Sequence, residues 1–347
     1  MVLTRSALRR VERVAERDLD DRALRIELLR VLRDAVPFED YAWLLTDPVT
    51  TVGSAPLADV RCLPELPRLI GLRYRTTVNR WTTLDAADSL LHATGGEPER
   101  SLVWRDLQQQ HGVGDVATVA FRDGFGLWGW VDLWRSSGAD PFSDAEVGFL
   151  ADVSRPITTA LRRTQARYFA EPAPLAVPDG LAVLMLSTDL EVVGQTPHTT
   201  EYLRLLVPTP AGQSPIPAGA FNVAAQLLAV EAGVDDHPPS SRVHLGGGRW
   251  VTLRADRIGA EGPGAGTIAV TIELTSPADR LDVFTRAAGL SPREAELVGL
   301  VVDGHDSTEI AARMFLSPHT VQDHLKSVFA KTSTRSRRAL VSLVRGR

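Results

Sequence analysis

Four helix-start signals lie between Ser291 and Ser336, and they restrict that stretch to short helices joined by tight turns. Ser291-Pro292-Arg293-Glu294 pairs a serine N-cap with a glutamate three residues on, and places proline where its missing N–H costs nothing. The helix it opens has Leu297, Leu300 and Val301 on its apolar side and stops at Gly304. Asp306-Ser307-Thr308-Glu309 repeats the box, with Ile310, Ala311 and Met314 facing inward. Ser317-Pro318 starts a third helix, and Ser336 a fourth whose apolar side is Leu340, Val341 and Val344. With no strand alternation between them, these segments predict a compact all-helical module over 290–347. PADRLDVFTRAAGL predicts a connecting helix over 277–289.

The third helix holds a polar cluster with two histidines, an aspartate, two serines and two lysines, SPHTVQDHLKSVFAK from Ser317 to Lys331. At about 100° per residue, Val321, Leu325 and Val328 share one side. His319, Gln322, Asp323, Lys326 and Ser327 fall opposite, with His324 on the flank. Two histidines sharing a metal on a helix need i, i+4 spacing, and His319 and His324 are five apart. His319 and Asp323 have that spacing but no third ligand, so no metal site is expected. A catalytic serine–histidine–aspartate group needs a buried aspartate and a nucleophile on a sharp turn. An exposed helix face supplies neither, so no catalytic residue is expected.

A capped helix, a short link (Phe315-Leu316) and a second capped helix form the helix–turn–helix layout, whose second helix enters the DNA major groove. Gln322 suits adenine, Lys326 guanine or phosphate, and Asp323 cytosine N4. Lys331, Arg335, Arg337 and Arg338 follow, where they could neutralise phosphates. The competing interpretation is a helical bundle with a solvated face. Charge distribution fits a module that meets a polyanion and equally a solvated basic tail: the chain carries a net −5, yet residues 280–347 hold eleven Lys/Arg against seven Asp/Glu.

The front of the chain differs. Apolar spacing at Leu24, Leu28, Val31 and Leu32 predicts a helix within 5–35, closed by Pro37. YAWLL at 41–45 predicts a strand, and VATVAF, RDGFG and LWGWVDLW predict a hairpin over 116–134. A capping box at Ser143 and Glu146 opens another helix, in which Pro156 predicts a kink or break. These elements make an α+β domain over 15–168. The proline-rich FAEPAPLAVPDG at 169–180 predicts a linker. A strand pair, two helices and three closing strands then predict a second α+β domain over 180–276.

The segment GLSPREAELVGLVVDGHDSTEIAARMFLSPHTVQDHLKSVFAKTSTRSRRALV resembles the LuxR/GerE-type DNA-binding domain through SPRE, Gly304, Glu309-Ile310-Ala311, Leu316-Ser317, Thr320-Val321, His324, Lys331 and Ser336-Arg337. The resemblance implies that Gln322, Asp323 and Lys326 face bases or backbone and that Thr320 lies near phosphate. His319 is counted with that face. This chain has Gln322 where many members carry a basic residue. It has Ser333 where members often have glycine, and Ala339 in place of a capping glutamate. FEDYAWLLTDP and GLWGWVDLWR resemble a GAF domain, while VLMLSTDLEVVGQTPHTTEYLRLL with its closing strands resembles a PAS domain.

The expectation is therefore multidomain: an α+β GAF-like domain, an α+β PAS-like domain and an all-α helix–turn–helix domain. The resemblance implies a transcriptional regulator that binds double-stranded DNA as a homodimer, responds to a small-molecule effector and meets RNA polymerase. The rivals are a helical module that contacts other proteins, a ligand-binding sensor without direct sequence-specific DNA binding, and an enzyme in the front domains. For an enzyme no glycine-rich phosphate loop, metal set or nucleophile elbow is present. On LWGWVDLW, alternation puts Trp128, Trp130, Asp132 and Trp134 on one face. They could line an effector pocket with Asp132 as polar anchor, or pack on helices or at a dimer contact. No cofactor is expected, since His198 and His244 are isolated. The single cysteine, Cys62, excludes an internal disulfide and is expected to be inert. With no apolar span and no export signal, the expected setting is the cytoplasm, away from membrane.

Overall fold

The computed structural model describes residues 2–170, 178, 180–207, 213–259 and 266–346, with side chains from residue 5 onward. Most of the linker expected at 169–180 lies outside them. The elements in chain order are helices α1 (Val2–Glu16) and α2 (Asp21–Ala35), strands β1 (Asp40–Thr46) and β2 (Gly53–Asp59), and helix α3 (Leu66–Arg75). Next come β3 (Ala87–Ser89), α4 (Leu90–Thr94), α5 (Leu102–Asp106), β4 (Val113–Asp123), β5 (Gly126–Ser136) and α6 (Asp144–Arg167). The second series is β6 (Ala182–Leu186), β7 (Val192–Gln195), α7 (Thr199–Leu206), α8 (Ala218–Glu231), β8 (Ser240–Gly246), β9 (Arg249–Ile258) and β10 (Thr267–Leu274). The chain closes with α9 (Pro277–Ala287), α10 (Pro292–Val302), α11 (Ser307–Met314), α12 (Pro318–Thr332) and α13 (Arg337–Arg345).

The chain forms two compact units. Residues 1–161, 176–243 and 251–273 make the first, and 162–175, 244–250 and 274–347 the second. Two five-stranded sheets, ordered β2-β1-β5-β4-β3 and β7-β6-β10-β9-β8, fall in the first unit except for residues 244–246, 249–250 and 274, which belong to the second. Numbered within its own sheet, each has the order second-first-fifth-fourth-third, a repeat of topology that the sequence does not display.

The first sheet's central hairpin pairs Val119 with Val131 and Ala120 with Trp130, and β1 joins it through Trp43 and Val131. Gly126 turns that hairpin at φ 148°, where a Cβ would lie 2.4 Å from the Pro48 carbonyl oxygen. Two expectations need correction here. The helical stretch over 5–35 is two helices, because Asp20 leaves the helical path and accepts from Ala23 N at 2.7 Å as an N-cap. The helix after Ser143 runs unbroken through Pro156. Burial of Leu150, Val153, Ile157 and Leu161 outweighs a proline penalty of about 3 kcal/mol.

Within the same unit α8 packs on α3 and β2. Asp47 receives a two-pronged bond from Arg242, Nε at 2.6 Å and Nη2 at 2.7 Å, with both side chains buried. Burial raises the Asp47 pKa, but Arg242's hydrogen bonds and charge outweigh it and hold the carboxyl below its ordinary value. Asp235 likewise takes Arg80 and His237 as partners.

The second unit buries Leu297, Val298, Val301, Ile310, Met314, Val321, Leu325, Val328 and Leu340. Val298 takes the inward place expected of Leu300, which is half-buried. Phe169 stacks on Trp250, centroids 4.8 Å apart, and meets Phe284 edge-on at 5.2 Å. Beside them the buried Arg280 donates to the carbonyls of Val344 (2.6 Å), Leu343 (3.2 Å) and Gly248 (2.7 Å). It therefore caps α13 and ties α9 to the β8–β9 turn. Burial lowers its pKa to about 10.

Candidate functional site

The α11–α12 pair is built by local capping. Asp306 accepts from Thr308 N and Glu309 N, and Glu309 Oε2 accepts in turn from Asp306 N at 2.9 Å. α11 ends on Phe315 in the left-handed region (φ 57°), its ring 95% exposed. Ser317 then accepts from Thr320 N, starting α12, and its hydroxyl lies 2.9 Å from Thr320 Oγ1.

α12 buries Val321, Leu325 and Val328 and turns the opposite face to solvent. His319, with 86% of its side chain exposed, and Lys326, with 76%, flank Asp323. Asp323 receives Lys326 Nζ at 3.2 Å and lies 3.1 Å from His319 Nδ1. The hydrogen bond from Lys326, aided by the charge of His319, holds its carboxyl below the ordinary range. Gln322 Nε2 donates to Ser307 Oγ at 2.9 Å. His324 is half-buried on the flank. One face thus presents Gln322, Asp323 and Lys326 together, with Thr320 at its N-terminal edge.

The basic residues after this face separate into two kinds. Arg335 and Arg338 are exposed and form no ion pair among the described residues. Lys331 and Arg337, also expected at phosphates, already hold partners within the protein. Lys331 Nζ is 2.6 Å from the buried Glu294 Oε2. Arg337 donates to the His305 carbonyl at 3.0 Å and to Ser307 Oγ at 2.7 Å. Ser307 and Glu294 therefore position this face, and neither role follows from spacing, since their partners are distant in sequence.

The first unit holds a cavity of about 240 Å³. Its floor includes Ala42, Leu44, Trp130, Asp132 and Trp134, its wall comes from α3, and Val207, Ile216, Ala218 and Asn222 close it. Trp130, Asp132 and Trp134 therefore meet as expected from alternation. Trp128 lies outside the cavity, buried, with Nε1 donating to Asp123 at 2.9 Å. Asp132 is not a free anchor: Arg73 binds both its oxygens (2.9 and 3.1 Å), and Thr118 Oγ1 donates at 2.6 Å.

Cys62 is buried, which pushes its thiol up to about 11 and leaves it protonated at neutral pH. Among the described residues, Asp235, Asp236 and His237 form one cluster of metal-ligand type, but Arg80 already binds Asp235. No helix among the described residues is long and apolar enough to cross a membrane.

Residues 288–344 match the family described as bacterial regulatory proteins, luxR family. Over 199 residues the chain is 29% identical to the "Putative HTH-type transcriptional regulator Mb0914c" of Mycobacterium bovis and to its Mycobacterium tuberculosis namesake Rv0890c, covering 54% of this chain and 22% of theirs. The chain thus spans about a fifth of the length of these curated relatives. Among solved structures, the Vibrio cholerae VqmA dimer without target DNA is 14% identical, with a TM-score of 0.19 over 48% of this chain and 82% of that one. The phage VqmA–DPO complex is 14% identical, with a TM-score of 0.20 over 53% and 87%. Superpositions that low do not bear on the arrangement here.

Proposed function

We propose that this chain is a DNA-binding transcriptional regulator of the LuxR type, with α12 as the helix that enters the major groove. The observation that carries this is the α12 face: Gln322, Asp323 and Lys326 exposed on a helix whose other side is core, within the 288–344 match. Arg335 and Arg338 supply phosphate contacts. The regulator acts as a homodimer on paired half-sites, as helix–turn–helix proteins do. The GAF-like and PAS-like domains sense a small molecule, and a population shift changes how α9 presents the DNA-binding modules. The front domains carry no enzymatic activity in this scheme.

The test is selection of bound sequences from random DNA, followed by affinity measurement over a salt series. Sequence-selective binding whose logarithm falls linearly with log salt is expected. Absence of any selected sequence would sink the proposal. Deleting residues 1–276 should abolish effector response while leaving DNA contact. A second reading, contact with other proteins such as RNA polymerase, is favoured by the exposed ring of Phe315. It requires Phe315→Ser to lower transcription at unchanged DNA affinity.

A further inference from the structure

The sensing part of that reading leaves the ligand unnamed, and the first unit's cavity restricts its chemistry. An apolar cavity of roughly 150 Å³ takes up benzene. The cavity here, at about 240 Å³, is larger, yet below the usual range for drug-sized ligands. Most of the side chains around it are aliphatic or aromatic.

Charge is present but already matched. Arg73 and Asp132 are both buried and bonded through two hydrogen bonds, with Thr118 on the carboxylate and the Asn79 carbonyl on the guanidinium at 2.9 Å. A charged ligand would have to break that pair in a site that water cannot compensate.

Three lining residues carry a buried polar atom with no hydrogen-bond partner among the described residues: Trp130 Nε1, Trp134 Nε1 and Asn222 Oδ1. Two are donors and one is an acceptor, and unmatched buried polar atoms cost free energy. These atoms are shielded from the cavity in this conformation, so a hydroxyl or amide on an otherwise apolar molecule meets both needs once the lining side chains turn toward it. The floor comes from the first sheet, and Asn222 and Ala218 come from α8 of the second series. An occupant therefore touches both sheet domains of this unit.

We propose that this cavity is the effector site, and that its ligand is an uncharged, largely apolar molecule of about two fused rings' bulk bearing a hydroxyl- or amide-type group. The inference rests on the sensing reading but not on the DNA-binding one.

The test is calorimetric titration of the full chain at pH 7 with three probes on the same two-ring frame: 2-naphthol, 2-naphthoate and (2-naphthyl)methylammonium. The neutral probe should bind at least tenfold more tightly than either ion. Ala42→Leu, which fills the floor, should weaken 2-naphthol at least tenfold without lowering the melting temperature. Ala58→Phe, at an exposed position on the rim, should do the same without touching the core. The proposal is overturned if 2-naphthol does not bind, if an ion binds as tightly, or if both variants bind like the parent. DNA affinity with and without 2-naphthol separates the two readings. Binding that meets these criteria with unchanged DNA affinity supports the site and removes its sensing role. Failure of all probes with intact DNA binding removes only the site.

Discussion

Lys331 Nζ lies 2.6 Å from Glu294 Oε2, joining the end of α12 to the first turn of α10 across 37 residues. The same carboxylate accepts from Ser291 N at 2.7 Å and Ser327 Oγ at 2.6 Å. Burial raises its pKa, but these partners outweigh that and hold it at about 2. A depressed carboxyl stabilises the fold above its ordinary value of 4.5, and the gain is lost as pH falls toward 2. Glu294→Gln should therefore destabilise the chain at pH 7 by roughly 1–3 kcal/mol. Urea unfolding at descending pH should show the gap between parent and variant closing below about pH 4.5. A constant gap would contradict the linkage.

The basic residues should divide by role. Arg335→Ala and Arg338→Ala should each reduce the salt dependence of DNA binding by about 0.9 in log–log slope. Both should leave stability within about 0.5 kcal/mol. Lys331→Met and Arg337→Met should lower the melting temperature instead, because each strips a partner from an internal bond. Paired salt-series and thermal measurements decide this for each residue.

Asp323 sits between His319 and Lys326, so its carboxylate orients both side chains or accepts from a cytosine. Asp323→Asn should change base preference by about 1–3 kcal/mol at one position. Overall affinity for the best site should change less. A randomised-site binding library reads both quantities, and loss of affinity with unchanged preference would refute the assignment.

Ser333 closes α12 in the left-handed region, at φ 53°. Ser333→Gly should stabilise the chain by about 1 kcal/mol, since only glycine adopts that region without penalty. Thermal unfolding of parent and variant is the check.

Asp47 and Arg242 are buried together, so removing one leaves the other's charge stranded. Asp47→Ala should cost about 3–5 kcal/mol, while the double change Asp47→Leu with Arg242→Met should recover most of it. Denaturant titration of the two single variants and the double one measures the difference.

What the sequence made legible was local. The caps at Ser291, Asp306, Ser317 and Ser336 each depend on residues within three positions, and each forms as expected. Alternation in β5 likewise brought Trp130, Asp132 and Trp134 to one cavity. Distant pairings were not legible. Arg73 and Asp132 are 59 residues apart, and Arg337 and Ser307 are 30 apart. A run of basic residues looks the same whether its charges face phosphate or a buried carboxylate. At Pro156 the break, one of the two outcomes expected, does not form: a backbone penalty is readable locally, whereas the burial that outweighs it is not.

Among the described residues Arg280 donates to main-chain carbonyls alone, those of Gly248, Leu343 and Val344, while its guanidinium lies over the Phe169 ring, 4.8 Å from the centroid. Every residue type carries a carbonyl, so the hydrogen-bonded part of the joint requires no particular side chain at 248, 343 or 344. Positions 343 and 344 can exchange one apolar side chain for another over evolutionary time without any matching change at 280. Heredity then has a guanidinium and the Phe169 ring beneath it to preserve, and a search for correlated substitutions between 280 and the last helix would pass over this junction.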